Sequence, residues 1–201
     1  MTDFFEKAMA KVKQFEGGYV DNPRDRGKET FRGISRKSWQ DWDGWPFIDA
    51  AKGEWADLPA KGRPKLAAFI DSKFRGSAVM DNLETEFYRV NFWELFSGVL
   101  TGRILWKVFD TAVNNGEGTA RKLLQRALNL PPLNSHLAVD GVLGPKTRLA
   151  VSKAPEDALL QNFCQAQAAN YRAIVKSHPE QEVFLKGWLN RAAWVPPKET
   201  T

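Results

Sequence analysis

The sequence predicts a mainly α-helical protein with a loop or short β-hairpin after its first helix. Apolar residues recur at helical spacing over residues 3–15, 65–75, 81–97, 104–114, 117–130 and about 156–175. Gly17-Gly18, Gly98, Gly102, Gly116 and Pro131-Pro132 fall between those stretches. No apolar/polar alternation long enough for a strand ladder occurs beyond residues 19–33.

The first helix places Phe4, Phe5, Ala8, Met9, Val12 and Phe15 on one face, with Thr2 or Asp3 as N-cap and Glu6 in the first turn. Gly17-Gly18 should end it by supplying a left-handed conformation, which leaves Glu16 at the helix C-terminus. Residues 19–33 are polar and turn-rich. A second helix is expected from Ser35, carrying Trp39 and Trp42. Residues 43–64 should be irregular, because Gly44, Pro46, Gly53, Pro59, Gly62 and Pro64 interrupt them. The next helices gather Phe87, Tyr88, Phe92, Trp93 and Phe96, with a break at Gly98 and Gly102.

Residues 104–114 read as a buried helix capped at Asn114-Asn115-Gly116, and 117–130 as one whose face holds Ala120, Leu123, Leu124, Ala127 and Leu128. Asp140 to Pro145 reads as a tight turn with Val142 and Leu143 packed inward. Thr147–Val151 is helical again. The organisation expected is a catalytic region over 1–103, a helical region over 104–195 packed on it, and a loose tail over 196–201.

Composition narrows the functional classes. With 43% hydrophobic and 26% charged residues in 201, the chain is globular in character rather than disordered. Eight Trp and thirteen Phe exceed what such a core needs, and aromatic faces stack on the apolar faces of pyranoses. A net charge of +5 favours a polyanionic partner, nucleic acid, anionic membrane or acidic cell wall. Lys and Arg are scattered rather than run together, which argues against a nucleic-acid arm. The single cysteine, Cys164, excludes an intramolecular disulfide and reads as a small buried apolar residue. His136 and His178 lack companions at metal-ligand spacing, so no metal site is expected. The N-terminus has no positive stretch followed by an apolar run, and no segment approaches the ~20 apolar residues of a membrane span. Synthesis in the cytoplasm without stable membrane insertion is therefore expected.

The chemistry concentrates near the N-terminus. Glycoside hydrolysis needs one carboxylic acid to protonate the leaving oxygen and a carboxylate or positioned water across the ring. Glu16 stands after Phe15 and before two glycines, at the negative end of a helix dipole that raises a carboxyl pKa. Asp21 and Asp25, in the polar loop, are the candidates for the second carboxylate, and the Thr30 hydroxyl can orient a water. A carboxyl separation of ~6.5–9.5 Å would leave room for that water and give inversion; ~5–5.5 Å would favour retention. By local physics alone, a solvent-facing Glu16 with a turn-forming Asp25 is the stronger reading, because carboxylate pairs at this spacing are common in globular chains.

Glu16-Gly17-Gly18-Tyr19-Val20-Asp21-Asn22-Pro23, followed by Asp25, Gly27, Thr30, Gly33 and Ile34, resembles the glycoside hydrolase family 108 N-acetylmuramidases, found among phage endolysins and secretion-activator proteins. The resemblance implies that Glu16 is the catalytic glutamate. The spacing of eight residues from Glu16 to Asp25 and four to Thr30 is similar to the Glu/Asp/Thr triad of small phage lysozymes, which implies Asp25 as second carboxylate and Thr30 as water-positioning hydroxyl. Phe109 to Gly116, Leu124 to Leu128 and Asp140 to Thr147 resemble the peptidoglycan-binding-like domain of the same proteins. The sequence departs from the family wording at Gly27-Lys28, Gly33-Ile34-Ser35 and Asp21-Asn22.

The resemblance implies a lysozyme-like helical fold and a muramidase that cleaves peptidoglycan between N-acetylmuramic acid and N-acetylglucosamine. Tyr19, Asp21 and Asn114 would be substrate contacts. It further implies a monomer that needs no cofactor, a holin or secretion route for release, and action on the cell wall in lysis. A wall-binding protein with an inactive site and a lytic transglycosylase are the alternatives.

Overall fold

The computed structural model describes residues 4–15, 17–21 and 29–198, with 14 and 15 described as backbone only. The chain divides into two compact units, one of residues 9–91 and the other of residues 1–8 with 92–201.

In the first unit, α1 (Phe4–Phe15, its N-terminal turn belonging to the second unit) leads into a three-stranded antiparallel sheet of β1 (Tyr19–Asp21), β2 (Glu29–Phe31) and β3 (Ile34–Ser35). Helices α2 (Trp45–Ala56), α3 (Leu66–Phe74) and α4 (Ala78–Tyr88) follow. Register pairs Tyr19 with Phe31, Val20 with Thr30 and Asp21 with Glu29, then Thr30 with Ser35 and Phe31 with Ile34. Directly paired residues share a face, and neighbours along a strand alternate. Tyr19, Phe31 and Ile34 therefore point into the core, where all three are buried, while Val20, Thr30 and Ser35 lie on the other face. The β2–β3 loop is only Arg32-Gly33, and both residues have positive φ, 46° and 80°, as a two-residue hairpin turn of the primed kind requires.

Two local expectations are corrected here. No helix starts at Ser35: it closes β3, and residues 36–44 form turns that deliver Trp42 into the core. The helix comes later, at α2, inside the stretch expected to be irregular. Pro46 lies in its first turn, where the missing N–H costs nothing, and Trp45, Ile48 and Ala51 form its buried stripe. Trp42 packs edge-on against Trp45 at 5.1 Å and beside Phe31 at 6.1 Å, and the Trp45 indole donates to the Trp39 carbonyl at 2.7 Å.

The second unit contains α5 (Glu94–Ser97), α6 (Gly102–Asn115), α7 (Glu117–Asn129), α8 (Pro145–Lys153), α9 (Glu156–Ser177) and α10 (Glu182–Ala193). Every residue of α6 from Ile104 to Ala112 is buried, so this helix is enclosed on all sides. Its core with α7 and α9 includes Val108, Leu124, Leu128, Leu160 and Phe163. Gly116, at φ 82°, ends α6 with its N–H on the Ala112 carbonyl, the cap the sequence implied. The 140–145 turn is held by Gln125, whose amide reaches Asp140 Oδ1 and the Val142 carbonyl and accepts from the Gly141 N–H. Asp140 also accepts the Val142 N–H, and this bend turns the Val142 side chain outward, 61% exposed, contrary to the inward packing expected of it. Leu143 does pack on the core.

Among the described residues, no helix is long and apolar enough to cross a membrane, and no group of three His, Cys, Asp or Glu stands together as a metal site. Cys164 lies half-buried on α9, where burial pushes its thiol pKa up.

Candidate active site

Glu16 and Asp25 lie outside the described residues, so the site is built from what surrounds them in the chain. α1 ends at Phe15 as expected, but neither Gly17 nor Gly18 takes a left-handed φ. Gly18 is needed for another reason. A Cβ there would fall 2.3 Å from Asp71 Oδ1, because the α3 carboxylate closes on this backbone and accepts the Tyr19 N–H at 2.7 Å. Gly18→Ala is expected to lower stability by about 1–2 kcal/mol, the worth of that charge-assisted bond. In an Asp71→Ala background the same change should cost little, and a denaturant double-mutant cycle reads the difference.

Gly17 and Gly18 line a cavity of about 330 Å³ together with Lys13, Arg32, Asp71, Arg75, Asp81 and Glu84. Arg32 is its hub. The guanidinium donates to Asp81 Oδ1 at 2.5 Å, Glu84 Oε2 at 2.8 Å and the Phe74 carbonyl at 2.9 Å. Its backbone is held too, the N–H on the Gly18 carbonyl and the carbonyl by the Tyr88 hydroxyl. A non-glycine residue at φ 46° persists only when its surroundings fix it this firmly. Glu84 is 1% exposed, and burial raises its carboxyl pKa despite the pull of Arg32 and of Lys13 at 3.8 Å. Its Oε1 has no hydrogen-bond partner among the described residues.

A second surface collects Asp21, Glu29, Arg36, Lys37 and Gln40. Glu29 accepts from the Tyr19 hydroxyl at 2.9 Å, Arg36 at 2.8 Å and Lys52 at 3.0 Å. Burial alone would raise its pKa, but the bonds from Arg36, Lys52 and Tyr19 outweigh it and hold the carboxylate below its ordinary 4.5. Burial, then the bond to Glu29, pushes the Tyr19 phenol well up. A carboxylate with a depressed folded pKa contributes stability above its unfolded value and loses it as pH falls through the folded one. Wild type should therefore be more stable than Glu29→Gln near neutral pH, with the gap closing as pH falls below 4.5 in urea titrations.

The sequence-derived site residues are not all brought together. Tyr19 is buried in β1 with its hydroxyl on Glu29. Asp21 is exposed at the end of β1, on the same face as Glu29, whereas Thr30 is half-buried on the opposite face. Asn114 belongs to the other unit, donating to the Tyr171 hydroxyl at 3.0 Å and accepting from Arg191 at 3.2 Å. Sequence reading passed over Asp71, Glu84, Glu29 and Arg32. Of these only Glu84 left a signal: with Met80, Phe87 and Tyr88 it occupies the buried stripe of α4, an odd place for a charge.

Two family models match the chain: one described as Glycosyl hydrolase 108, over residues 9–116, and one described as Predicted Peptidoglycan domain, over 119–193. No curated protein matches it. The solved structure of Brucella abortus SagA is similar at 28% identity, covering 94% of this chain and 89% of that one with a TM-score of 0.60. The fold is thus mainly α and lysozyme-like, with a small antiparallel sheet after the first helix.

Proposed function

The chain belongs to the glycosyl hydrolase 108 family and carries a peptidoglycan domain, which makes it a peptidoglycan hydrolase; from that premise we propose that it is an N-acetylmuramidase with Glu16 as general acid. The bond cut is the β-1,4 linkage between N-acetylmuramic acid and N-acetylglucosamine. The observation that supports this reading is the cavity lined by Gly17 and Gly18, the two residues that follow Glu16 in the sequence.

Asp25 serves as second carboxylate and Thr30 orients the attacking water. The opposite facing of Asp21 and Thr30 supports Asp25 over Asp21 in that pairing and leaves Asp21 as a substrate contact. Tyr19, with its side chain buried, aligns the strand through Glu29 and meets substrate with its backbone. Asn114 contacts substrate from the region of residues 104–195, which engages the wall, while 1–103 carries the chemistry. The enzyme works without a cofactor as a monomer, reaches the wall through a holin or secretion route, and acts in lysis. Its charge of +5 prolongs its stay on an anionic wall.

Incubation with purified sacculi tests the reading. New reducing ends should accumulate with time. Sedimentation with the sacculi and no new ends would instead support a wall-binding protein.

A further inference from the structure

Resting on the reading of the chain as a peptidoglycan hydrolase, we propose that a second cavity, between residues 38–43 and the C-terminal turns of α4, is a subsite for the peptide part of the wall. It takes the free terminal ammonium of a diamino acid in the stem peptide, together with the aliphatic chain that carries it.

The cavity lies wholly within the unit of residues 9–91 and measures about 370 Å³, inside the ~300–1,000 Å³ range of small-molecule sites. Much of its lining is apolar. Trp42 and Phe87 reach it from the core, while Trp39 and Val90 stand 36% and 47% exposed. The Trp39 ring is braced edge-on against Phe87 at 5.0 Å, so this surface is built rather than loose. The backbone is irregular here as well. α4 runs on into a π-helical turn, Arg89–Trp93, from which Val90 and Asn91 line the cavity, with the Asn91 amide on the Phe87 carbonyl at 2.9 Å. Such turns are rare and gather at functional sites.

Charge selects the occupant. Asp41, Asp43 and Glu86 line the cavity and no Lys or Arg does, in a chain whose net charge is +5. Asp41 and Asp43 are exposed and make no ion pair or hydrogen bond among the described residues. Glu86 meets Arg89 at 3.6 Å, an exposed pair of little strength. An anionic ligand is repelled by this lining, and a neutral sugar gains only from the rings. An ammonium on a methylene chain answers both features, the chain lying on Trp39 and Val90 and the head meeting carboxylates and ring face.

The neighbouring surface says which ammonium. Gln40 lines both this cavity and the one that holds Asp21, the proposed substrate contact, so the two are continuous. In that second cavity Arg36 is committed to Glu29 and Asp49, whereas Lys37 is exposed with no ion pair or hydrogen bond among the described residues. Carboxylates on one side and an uncommitted lysine on the other suit a dipolar peptide, with its ammonium toward Asp41 and Asp43 and a carboxylate toward Lys37. Cross-linking acylates the terminal amine, so the subsite would favour wall that is not yet cross-linked there.

The probes are L-alanyl-γ-D-glutamyl-L-lysine, the same tripeptide acetylated on its ε-amine, Nα-acetyl-lysine methylamide and chitobiose. Each is titrated into the ¹⁵N-labelled full chain while the indole N–H signals of Trp39 and Trp42 are followed by NMR. Acetylation of the ε-amine should weaken tripeptide binding about threefold to tenfold, the worth of two exposed charge pairs. The double variant Asp41→Asn/Asp43→Asn should bring the tripeptide to the level of its acetylated form and leave that form unchanged. The single-lysine probe, which lacks the glutamyl carboxylate, should bind wild type more weakly than the tripeptide, and Lys37→Gln should erase that difference. All three positions are exposed, and thermal melts check that each variant is folded.

Equal binding of the tripeptide and its acetylated form, or unchanged affinity in the double variant, would overturn the proposal. Equal binding of the tripeptide and the single-lysine probe would overturn it too, leaving a general site for lysine side chains. Tighter binding of chitobiose than of the tripeptide would make the cavity a sugar site instead. Binding is read without turnover, so failure of the hydrolase reading is seen separately, as amine-dependent binding without new reducing ends on sacculi.

Discussion

Replacement of Glu16 by glutamine is expected to lower the rate of wall cleavage by about two to four orders of magnitude, the usual contribution of a positioned general acid. Glutamine has the same shape and can accept a hydrogen bond from the sugar, but it has no proton to give to the leaving oxygen. The residue follows α1 in the sequence, and the described residues near it in the chain are anchored by Asp71 on the Tyr19 N–H and by Arg32 on Asp81 and Glu84. Thermal melts of the variant beside wild type separate a loss of chemistry from a loss of fold. Turbidity loss of chloroform-treated Gram-negative cells measures the effect, with Asp25→Asn, Thr30→Val and Asp21→Asn beside it. Asp25→Asn should fall toward the Glu16→Gln level and Asp21→Asn should lose less, because β-sheet register puts Asp21 on the face opposite Thr30. Equal lysis by wild type and Glu16→Gln would remove Glu16 from the chemistry.

The largest loss of stability is expected from Lys107→Met. Lys107 is wholly buried in α6, and its ammonium donates to the carbonyls of Arg191 at 2.8 Å, Ala192 at 3.1 Å and Trp194 at 2.7 Å. These are among the carbonyls a helix leaves unpaired at its C-terminus, so one side chain caps the end of α10. The Trp194 ring, 5.6 Å from the ammonium, adds a cation–π contact. Burial lowers the lysine pKa, with Asp110 opposing the shift, and the desolvated ammonium is kept in place by its three acceptors. Methionine fills similar volume but leaves all three carbonyls without a donor. A loss on the order of 2–4 kcal/mol follows from the cost of buried unsatisfied groups. Denaturant midpoints measure it, and hydrogen exchange should show faster opening over residues 182–198 than elsewhere. Lys146→Met, at an exposed position of α8, should change stability by no more than about 0.5 kcal/mol.

The helices of the second unit were legible because their apolar stripes are wide and their breaks are marked by Gly102, Gly116 and the Pro131-Pro132 loop. Helix α2 was not, because Pro46 was read as a breaker when it sits in a first turn. No helix was read over α10, since only Ala192 of that helix is buried, while Val183 and Phe184 face outward and blur the stripe. At the site, the glycine pair was legible as a place of close approach, but not the group that approaches. Asp71 arrives from a helix 53 residues further along, and nothing near Gly18 announces it. The same holds for Lys107 and Asp110. Their polarity inside an apolar run is visible in sequence, while their partners at 191–194 are fixed only by packing. The separation of Asp21 from Thr30 is a matter of strand register, which alternation over three residues cannot specify.

Hydrolysis of the bond between N-acetylmuramic acid and N-acetylglucosamine is tested most directly by the ends it creates. Sacculi are digested with wild type, reduced with borohydride, and the soluble muropeptides analysed by mass spectrometry. An N-acetylmuramidase yields products whose new reducing end is N-acetylmuramic acid, recovered as its alcohol, and yields none with Glu16→Gln. Anhydro-muramic ends, which borohydride leaves unreduced and which are lighter than the alcohol by one water and two hydrogens, or new ends on N-acetylglucosamine would contradict it.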